Sequence, residues 1–320
     1  MTTKIAFLFP GQGSQAVSMG CALAERFPIA AQTFAEADRA LGFPLSKLIF
    51  EGPEEDLRLT ENTQPAILTV SVAAWRALAA HDVQPAFAAG HSLGEWSAHV
   101  AAGTLNFADA VRAVKTRGRA MQLAVPAGQG AMAAVLSLDP AKVVEACLEA
   151  AAETGLVVAA ANLNSPGQTV ISGVLAAVER ASALAKLKGA RRAVMLPVSA
   201  PFHCALMQPA QEEVARVLST LSLADPRIPV AANVTGGLVT TAAAARDALI
   251  RQVTGAVRWV DCVQSLVGAG ANLFIEVGPG KVLCGLLRQI DPGQESLNVE
   301  DAASLEATLS ALAGGEVSGG

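Results

Sequence analysis

The chain lacks tyrosine altogether, and only 4% of its 320 residues are aromatic and 16% charged. It has four histidines and five cysteines. Each shortage excludes something. With a net charge of −5 there is no basic footprint of the kind nucleic-acid-binding domains present, which argues against nucleic acid as a partner. No apolar run reaches the roughly 18 residues that suggest a membrane span. The apolar stretch from Lys4 to Phe9 is too short for a signal-peptide core and runs directly into Pro10-Gly11-Gln12-Gly13. The cysteines (Cys21, Cys147, Cys204, Cys262 and Cys284) are odd in number and form no C-x-x-C pair, so they read as free thiols. Together these point to a cytoplasmic protein with no membrane partner.

What the chain has is apolar bulk: 52% hydrophobic residues, many of them alanine, enough for one large domain or a domain carrying an insertion. Short apolar runs alternate with longer helical patterns, which predicts an α/β fold with a mostly parallel sheet. Ile5–Phe9 reads as a buried first strand. Helices are expected over Gln15–Leu41 (interrupted at Pro28), Thr63–His81, Leu93–Ala102 and Phe107–Ala124. From Ala131 the rhythm changes. Strands at Ala131–Ser137, Leu156–Asn162, Gln168–Ser172 and Arg192–Val198, with helices at Pro140–Glu153 and Leu175–Leu187, give the order βαββαβ of a ferredoxin-like unit. Core strands are expected again at Val230–Val234 and Leu273–Val277. The expected division is a discontinuous core, 1–127 and 199–313, an inserted subdomain, 128–198, and a disordered tail, 314–320.

Gly90-His91-Ser92-Leu93-Gly94 fits G-x-S-x-G, the nucleophile elbow, in which a strand turns sharply into a helix and small residues relieve the crowding around the serine. Pro85–Ala89 can supply the strand and Leu93–Ala102 the helix. Alone, the pattern also suits a plain strand–helix turn. A serine nucleophile needs a base within reach, and only His81, His91, His99 and His203 are available. His91 adjoins the serine but should point away from it. His81 ends a helix, and His99 lies about two helical turns beyond Ser92. His203 sits where the insertion would hand the chain back to the core, as a catalytic or a structural histidine. No acid near it is an obvious third partner; Glu212 and Glu213 suit an exposed helix face. Glu95, in the first turn after the serine, is accounted for by the helix dipole without a catalytic role.

Arg117 has Ala113, Val114, Ala120 and Met121 as helical neighbours, so it should face the interior. A buried guanidinium keeps its charge and needs an anionic partner, either a protein carboxylate or a carboxylate on the substrate. Gly11-x-Gly13-x-x-Ala16 imitates a dinucleotide-binding fingerprint, but the segment that should be its second strand, Gln32–Leu41, reads as helix. Such a glycine loop can instead offer a backbone N–H to a developing oxyanion.

With these pieces in place, the chain resembles the malonyl-CoA:acyl carrier protein transacylase family over nearly its whole length. The likeness is carried by FPGQGSQ at Phe9–Gln15, TQPA at Thr63–Ala66, GHSLGEWSA at Gly90–Ala98 and RG..MQ at Arg117–Gln122. It continues through NSPGQ..ISG at Asn164–Gly173, VSAPFH at Val198–His203 and EVGPGK at Glu276–Lys281. The resemblance implies a hydrolase-like parallel-sheet core with a ferredoxin-like insertion, and a ping-pong transfer of malonyl from malonyl-CoA to acyl carrier protein. Ser92 would be the nucleophile, His203 its base, the N–H groups of Gln12 and Leu93 the oxyanion hole, and Arg117 the partner of the malonyl carboxylate. The carbonyl of Gln252 would orient His203. No metal or other cofactor is implied. Trp96 stands where the family commonly has tyrosine, and Cys204 where serine is common; neither exchange removes a catalytic atom. Rival readings are the transacylase serving malonate decarboxylase, a serine esterase or thioesterase, and an inactive docking subunit. Phe202 before the histidine and Glu95 after the serine favour the fatty-acid type.

Overall fold

A computed structural model describes residues 3–198 and 200–315. Ten strands lie among them: β1 (Ile5–Phe9), β2 (Phe87–Gly90), β3 (Gly130–Leu136), β4 (Val158–Ser165), β5 (Gln168–Val174), β6 (Arg192–Met195), β7 (Val230–Ala231), β8 (Leu238–Val239), β9 (Leu273–Val277) and β10 (Glu295–Val299). They form two sheets. The larger has the order β10-β9-β1-β2-β7-β8, with every neighbouring pair parallel except β7 and β8. Helices cover both faces of a parallel sheet, so its central strands must be apolar throughout. Phe7, Leu8, Ala88, Ala89, Phe274 and Ile275 accordingly meet almost no solvent.

The smaller sheet has the order β4-β5-β3-β6, antiparallel throughout. The helices Pro140–Thr154 and Leu175–Leu187 complete its βαββαβ sequence. Asp139 caps the first of them by accepting from Ala141 N–H, and Gly155, at φ 67°, ends it in the left-handed conformation glycine favours. The strand on either side of this unit in sequence, β2 and β7, are partners in the larger sheet. Main-chain bonds tie β4 to the segment that leads into the helix Trp259–Gly268: Val257 N–H donates to the Ala161 carbonyl at 2.8 Å, and Leu163 N–H to the Val257 carbonyl at 2.9 Å.

Two helices bring the core up to the site. Thr60–Ala79 is buried along most of its length and packs against Phe107–Leu123. Gly118 permits the approach: a Cβ there would stand 2.5 Å from the Thr60 carbonyl oxygen.

Several segments differ from the sequence-based expectations. Gln15–Gly20 is not helical; Ser18 and Gly20, at φ 71° and 74°, take left-handed turns before the helices Cys21–Arg26 and Pro28–Leu41. The expected strand Arg192–Val198 ends at Met195, and Leu196 and Val198 turn to line a cleft. The strand expected over Val230–Val234 is two residues long because Asn233 spends its hydrogen bonds on the site below it. Of the expected tail, Gly314 and Gly315 belong to the helix Ala302–Gly315, and residues 316–320 lie outside the described residues. Among the described residues, no helix is long and apolar enough to cross a membrane.

Candidate active site

β2 runs into the helix Leu93–Ala101 through Ser92, whose φ of 51° and ψ of −102° are strained for a residue with a side chain. Glycines make the turn possible. A Cβ on Gly90 would fall 1.9 Å from the Gly94 carbonyl carbon, and one on Gly94 would fall 2.0 Å from the Phe9 carbonyl oxygen. Asn233 clamps the turn from both sides, its Oδ1 accepting from Ser92 N–H at 2.7 Å and its Nδ2 donating to the Gly90 carbonyl at 2.8 Å. The helix N-terminus then directs its positive end at the serine.

His203, also at a left-handed φ of 60°, brings Nε2 to 2.7 Å from Ser92 Oγ. Its Nδ1 lies 2.8 Å from the main-chain oxygen of Gln252. A carbonyl only accepts, so Nδ1 carries the proton and Nε2 is the acceptor of the Ser92 hydroxyl proton. Burial, followed by the positive charge of Arg117, pushes the His203 imidazole down to about 3, so the ring is a neutral base at physiological pH. The other histidines do not reach the serine. His91 turns away to Asn164 Oδ1, 2.8 Å, with its ring against Trp259. His99 is buried beside Thr104 Oγ1, and His81 packs edge-on to Phe27.

Arg117 is 1% exposed. Its Nη1 donates to Gln64 Oε1 at 2.8 Å, while Nη2 donates to Gln252 Oε1 at 2.8 Å and to Ser92 Oγ at 3.1 Å. All three acceptors are neutral, and Arg117 makes no direct ion pair among the described residues. Burial draws the guanidinium down to about 10, with Glu95 opposing the shift. Of the two partners open to Arg117 from the sequence, the arrangement favours a carboxylate that arrives with a ligand.

Gln12 and Leu93 line the same cleft as Ser92 and His203. Leu93 opens its helix, where an N–H has no partner inside the helix. The Gly11 loop sits tightly on the elbow, since a Cβ on Gly11 would come within 2.4 Å of the His91 carbonyl oxygen. Gln12 Nε2 is held by Thr60 Oγ1 at 3.3 Å. The far wall is apolar, formed by Met121, Met132, Val170, Leu196, Val198 and Phe202. Cys204 is no competitor for the nucleophile's place: it is buried, its Sγ faces the Pro201 carbonyl, and burial raises its thiol above the usual range.

Two residues of the site, Gln64 and Asn233, were not singled out from sequence, and a third, Glu95, was read only as a first-turn acid. Gln64 lies inside the TQPA run and Asn233 inside the expected strand, but neither carries a local sign of its contacts. Glu95 sits in the first turn as expected, and there it faces the core. It is fully buried, and its Oε2 accepts from Asn233 N–H at 3.0 Å and from Gln252 Nε2 at 2.6 Å. The signal was present in its helix, LGEWSAHVA, which has no polar face and is buried on all sides.

A family model for the acyl transferase domain matches residues 6–307. A malonyl CoA-acyl carrier protein transacylase of Salmonella typhimurium is 49% identical over 308 residues, 96% of this chain and 99% of that protein. A crystal structure of an acyl carrier protein S-malonyltransferase from Vibrio cholerae superposes with a TM-score of 0.93 at 50% identity, covering 96% of this chain and all of that one. A malonyl-transacylase solved in complex with its holo type II PKS acyl-carrier protein gives a TM-score of 0.93 at 45% identity, covering 96% and 99% of the two chains.

Proposed function

This chain belongs to the family of acyl transferase domains, and on that premise we propose that it moves a malonyl group from coenzyme A to the pantetheine thiol of acyl carrier protein through an ester on Ser92. The observation that carries the reading is one hydroxyl with two neighbours: Ser92 Oγ lies 2.7 Å from a neutral imidazole and 3.1 Å from a buried guanidinium that has only neutral protein acceptors.

Ser92 Oγ attacks the thioester carbonyl and passes its proton to His203 Nε2. The tetrahedral oxyanion accepts from the N–H groups of Gln12 and Leu93, each such donor being worth roughly 10²–10³ in rate. The C–S bond breaks, and the departing sulfur takes the proton from Nε2. In the second half, the carrier's thiol gives its proton to Nε2 and attacks the malonyl ester. The ester C–O bond then breaks and Ser92 recovers its proton. Throughout, the Gln252 carbonyl keeps the imidazole in the required tautomer, and Arg117 pairs with the distal malonyl carboxylate. The steps balance without a metal or redox cofactor; the pantetheine belongs to the carrier.

The reading assigns the product to fatty acid synthesis and the protein to the cytoplasm, where its five free cysteines are at home. Residues 1–127 and 199–313 act as one discontinuous core and 128–198 as an insertion, a division supported by the pairing in the larger sheet of β2 and β7, the strands that precede and follow the smaller sheet in sequence. The test is mass spectrometry of the intact protein mixed first with malonyl-CoA and then with holo carrier. A malonyl adduct that forms on the protein and moves to the carrier is the expected result. Release of free malonate in place of transfer would make the protein a thioesterase.

A further inference from the structure

The mechanism above makes no use of Glu95, which is buried directly beneath the nucleophile. It serves none of its own helix's N–H groups. Its partners are Asn233 and Gln252, 138 and 157 residues further along the chain. The Gln252 side chain therefore stands between a buried guanidinium and a buried carboxyl: Oε1 accepts from Arg117, and Nε2 donates to Glu95.

A carboxamide has two ends of nearly the same shape and opposite hydrogen-bonding sense. Which end meets Arg117 matters, because a guanidinium has only donors, and an NH₂ turned toward it would leave Nη2 with the 3.1 Å contact to Ser92 Oγ alone. The surroundings of Nε2 decide the orientation. They consist of three oxygens: Glu95 Oε2 at 2.6 Å, the Ser92 carbonyl at 2.9 Å and Asn233 Oδ1 at 3.3 Å. Glu95 is the nearest of the three; burial lifts its carboxyl to about 7, while the bonds from Asn233 and Gln252 and the charge of Arg117 oppose that shift.

We infer that Glu95 is a positioning residue for acyl selectivity: by accepting from the Gln252 amide it turns the Gln252 side-chain oxygen toward Arg117 and so holds the guanidinium where an acyl carboxylate meets it. The inference rests on Arg117 being the carboxylate partner. It separates two functions of Gln252, whose main-chain oxygen serves His203 independently of the side chain. Loss of Glu95 should thus weaken recognition of a carboxylated acyl group more than it weakens the chemistry at Ser92.

The experiment measures kcat/KM for malonyl-CoA and acetyl-CoA on the native protein, Glu95→Ala, Glu95→Gln and Arg117→Ala. Glu95→Ala should lower the malonyl-to-acetyl ratio about tenfold, the worth of a buried hydrogen bond. Glu95→Gln, whose carbonyl can take both N–H donors, should keep the ratio within about threefold of native. An unchanged ratio in Glu95→Ala, with both substrates falling together, makes Glu95 merely structural and overturns the inference. So does a Glu95→Gln ratio as low as that of Glu95→Ala, which would assign the effect to charge and not to orientation. If Glu95→Ala does not fold, Gln252→Leu takes its place: it keeps the main-chain oxygen and should lose the ratio to the same degree, and a native ratio there is equally fatal. Arg117→Ala separates the levels. If it abolishes the malonyl preference, the Glu95 variants judge the inference alone; if it leaves the preference intact, the reading of Arg117 has failed and the inference falls with it.

Discussion

Gln252 receives the His203 Nδ1–H on its main-chain oxygen, 2.8 Å away, so exchanging the Gln252 side chain leaves that acceptor in place. His203→Ala removes the proposed base and should slow formation of the acyl-enzyme by about 10²–10⁴. Gln252→Ala should slow it distinctly less. Single-turnover acylation, followed by quenching and mass spectrometry, compares the two. Equal losses would mean that the Gln252 side chain, and not its carbonyl, holds the imidazole.

Ser92→Ala should fold normally and form no adduct with malonyl-CoA. An alanine relieves none of the turn's strain and removes only the hydroxyl, so circular dichroism and melting should stay close to native. The nearby thiol of Cys204 is buried and donates to the Pro201 carbonyl. A malonyl adduct on Cys204 in this variant would displace Ser92 from the mechanism.

Arg117 should decide which acyl group is accepted. Acetyl-CoA leaves the guanidinium without its anion, and sites built around a polar pairing reject analogues lacking that group by roughly 10⁴–10⁵. In Arg117→Ala a malonyl carboxylate would be buried bare, while acetyl would meet an apolar helix face. The malonyl kcat/KM should fall by orders of magnitude, with acetyl holding or rising. A common factor for both substrates would make the arginine structural.

The pH profile carries a sign that can be checked. His203 is held down to about 3 by burial and by the positive charge of Arg117. Its base form therefore persists far below the 6.5 or so of an ordinary imidazole. The acid limb of acylation should be absent near pH 6.5 in the native protein. Removing the cation favours protonation, so the limb should move upward in Arg117→Ala. Acylation rates between pH 4 and 8 for both proteins test this, and a native limb near 6.5 would contradict it.

The parts of the site that were legible in the sequence are those with a local signature. Ser92 lies in a five-residue pattern whose glycines have a steric reason, and Arg117 betrays its burial by its four apolar helical neighbours. His203 was one of four candidate histidines, and it was the resemblance of its VSAPFH motif to the family that gave it the role of base. The βαββαβ unit could be read because strand and helix periods alternate cleanly there. Gln64, Asn233 and the side chain of Gln252 were opaque because their partners lie 53, 141 and 135 residues away, and a neutral amide has no pattern of its own. Glu95 lies in the first turn, as the sequence suggested, but its burial was not read, for a physical reason. An acid in the first turn of a helix is favourable whether it faces water or the core, so only the helix's lack of a polar face distinguished the two. Strand ends failed where the chain leaves the sheet to serve the site, as at Met195 and Ala231.

The two hydrogen bonds that Val257 makes with Ala161 and Leu163 join main chain to main chain. Such bonds do not depend on side-chain identity, so mutation has little purchase on them short of introducing proline. The distance between the wall that bears Asn162 and Asn164 and the floor that bears Ser92 is thus inherited with the fold. The walls can be redecorated residue by residue while the gauge of the opening stays constant. A substitution in the walls can therefore change which acyl chain fits while the main-chain bonds that hold wall to floor stay as they are.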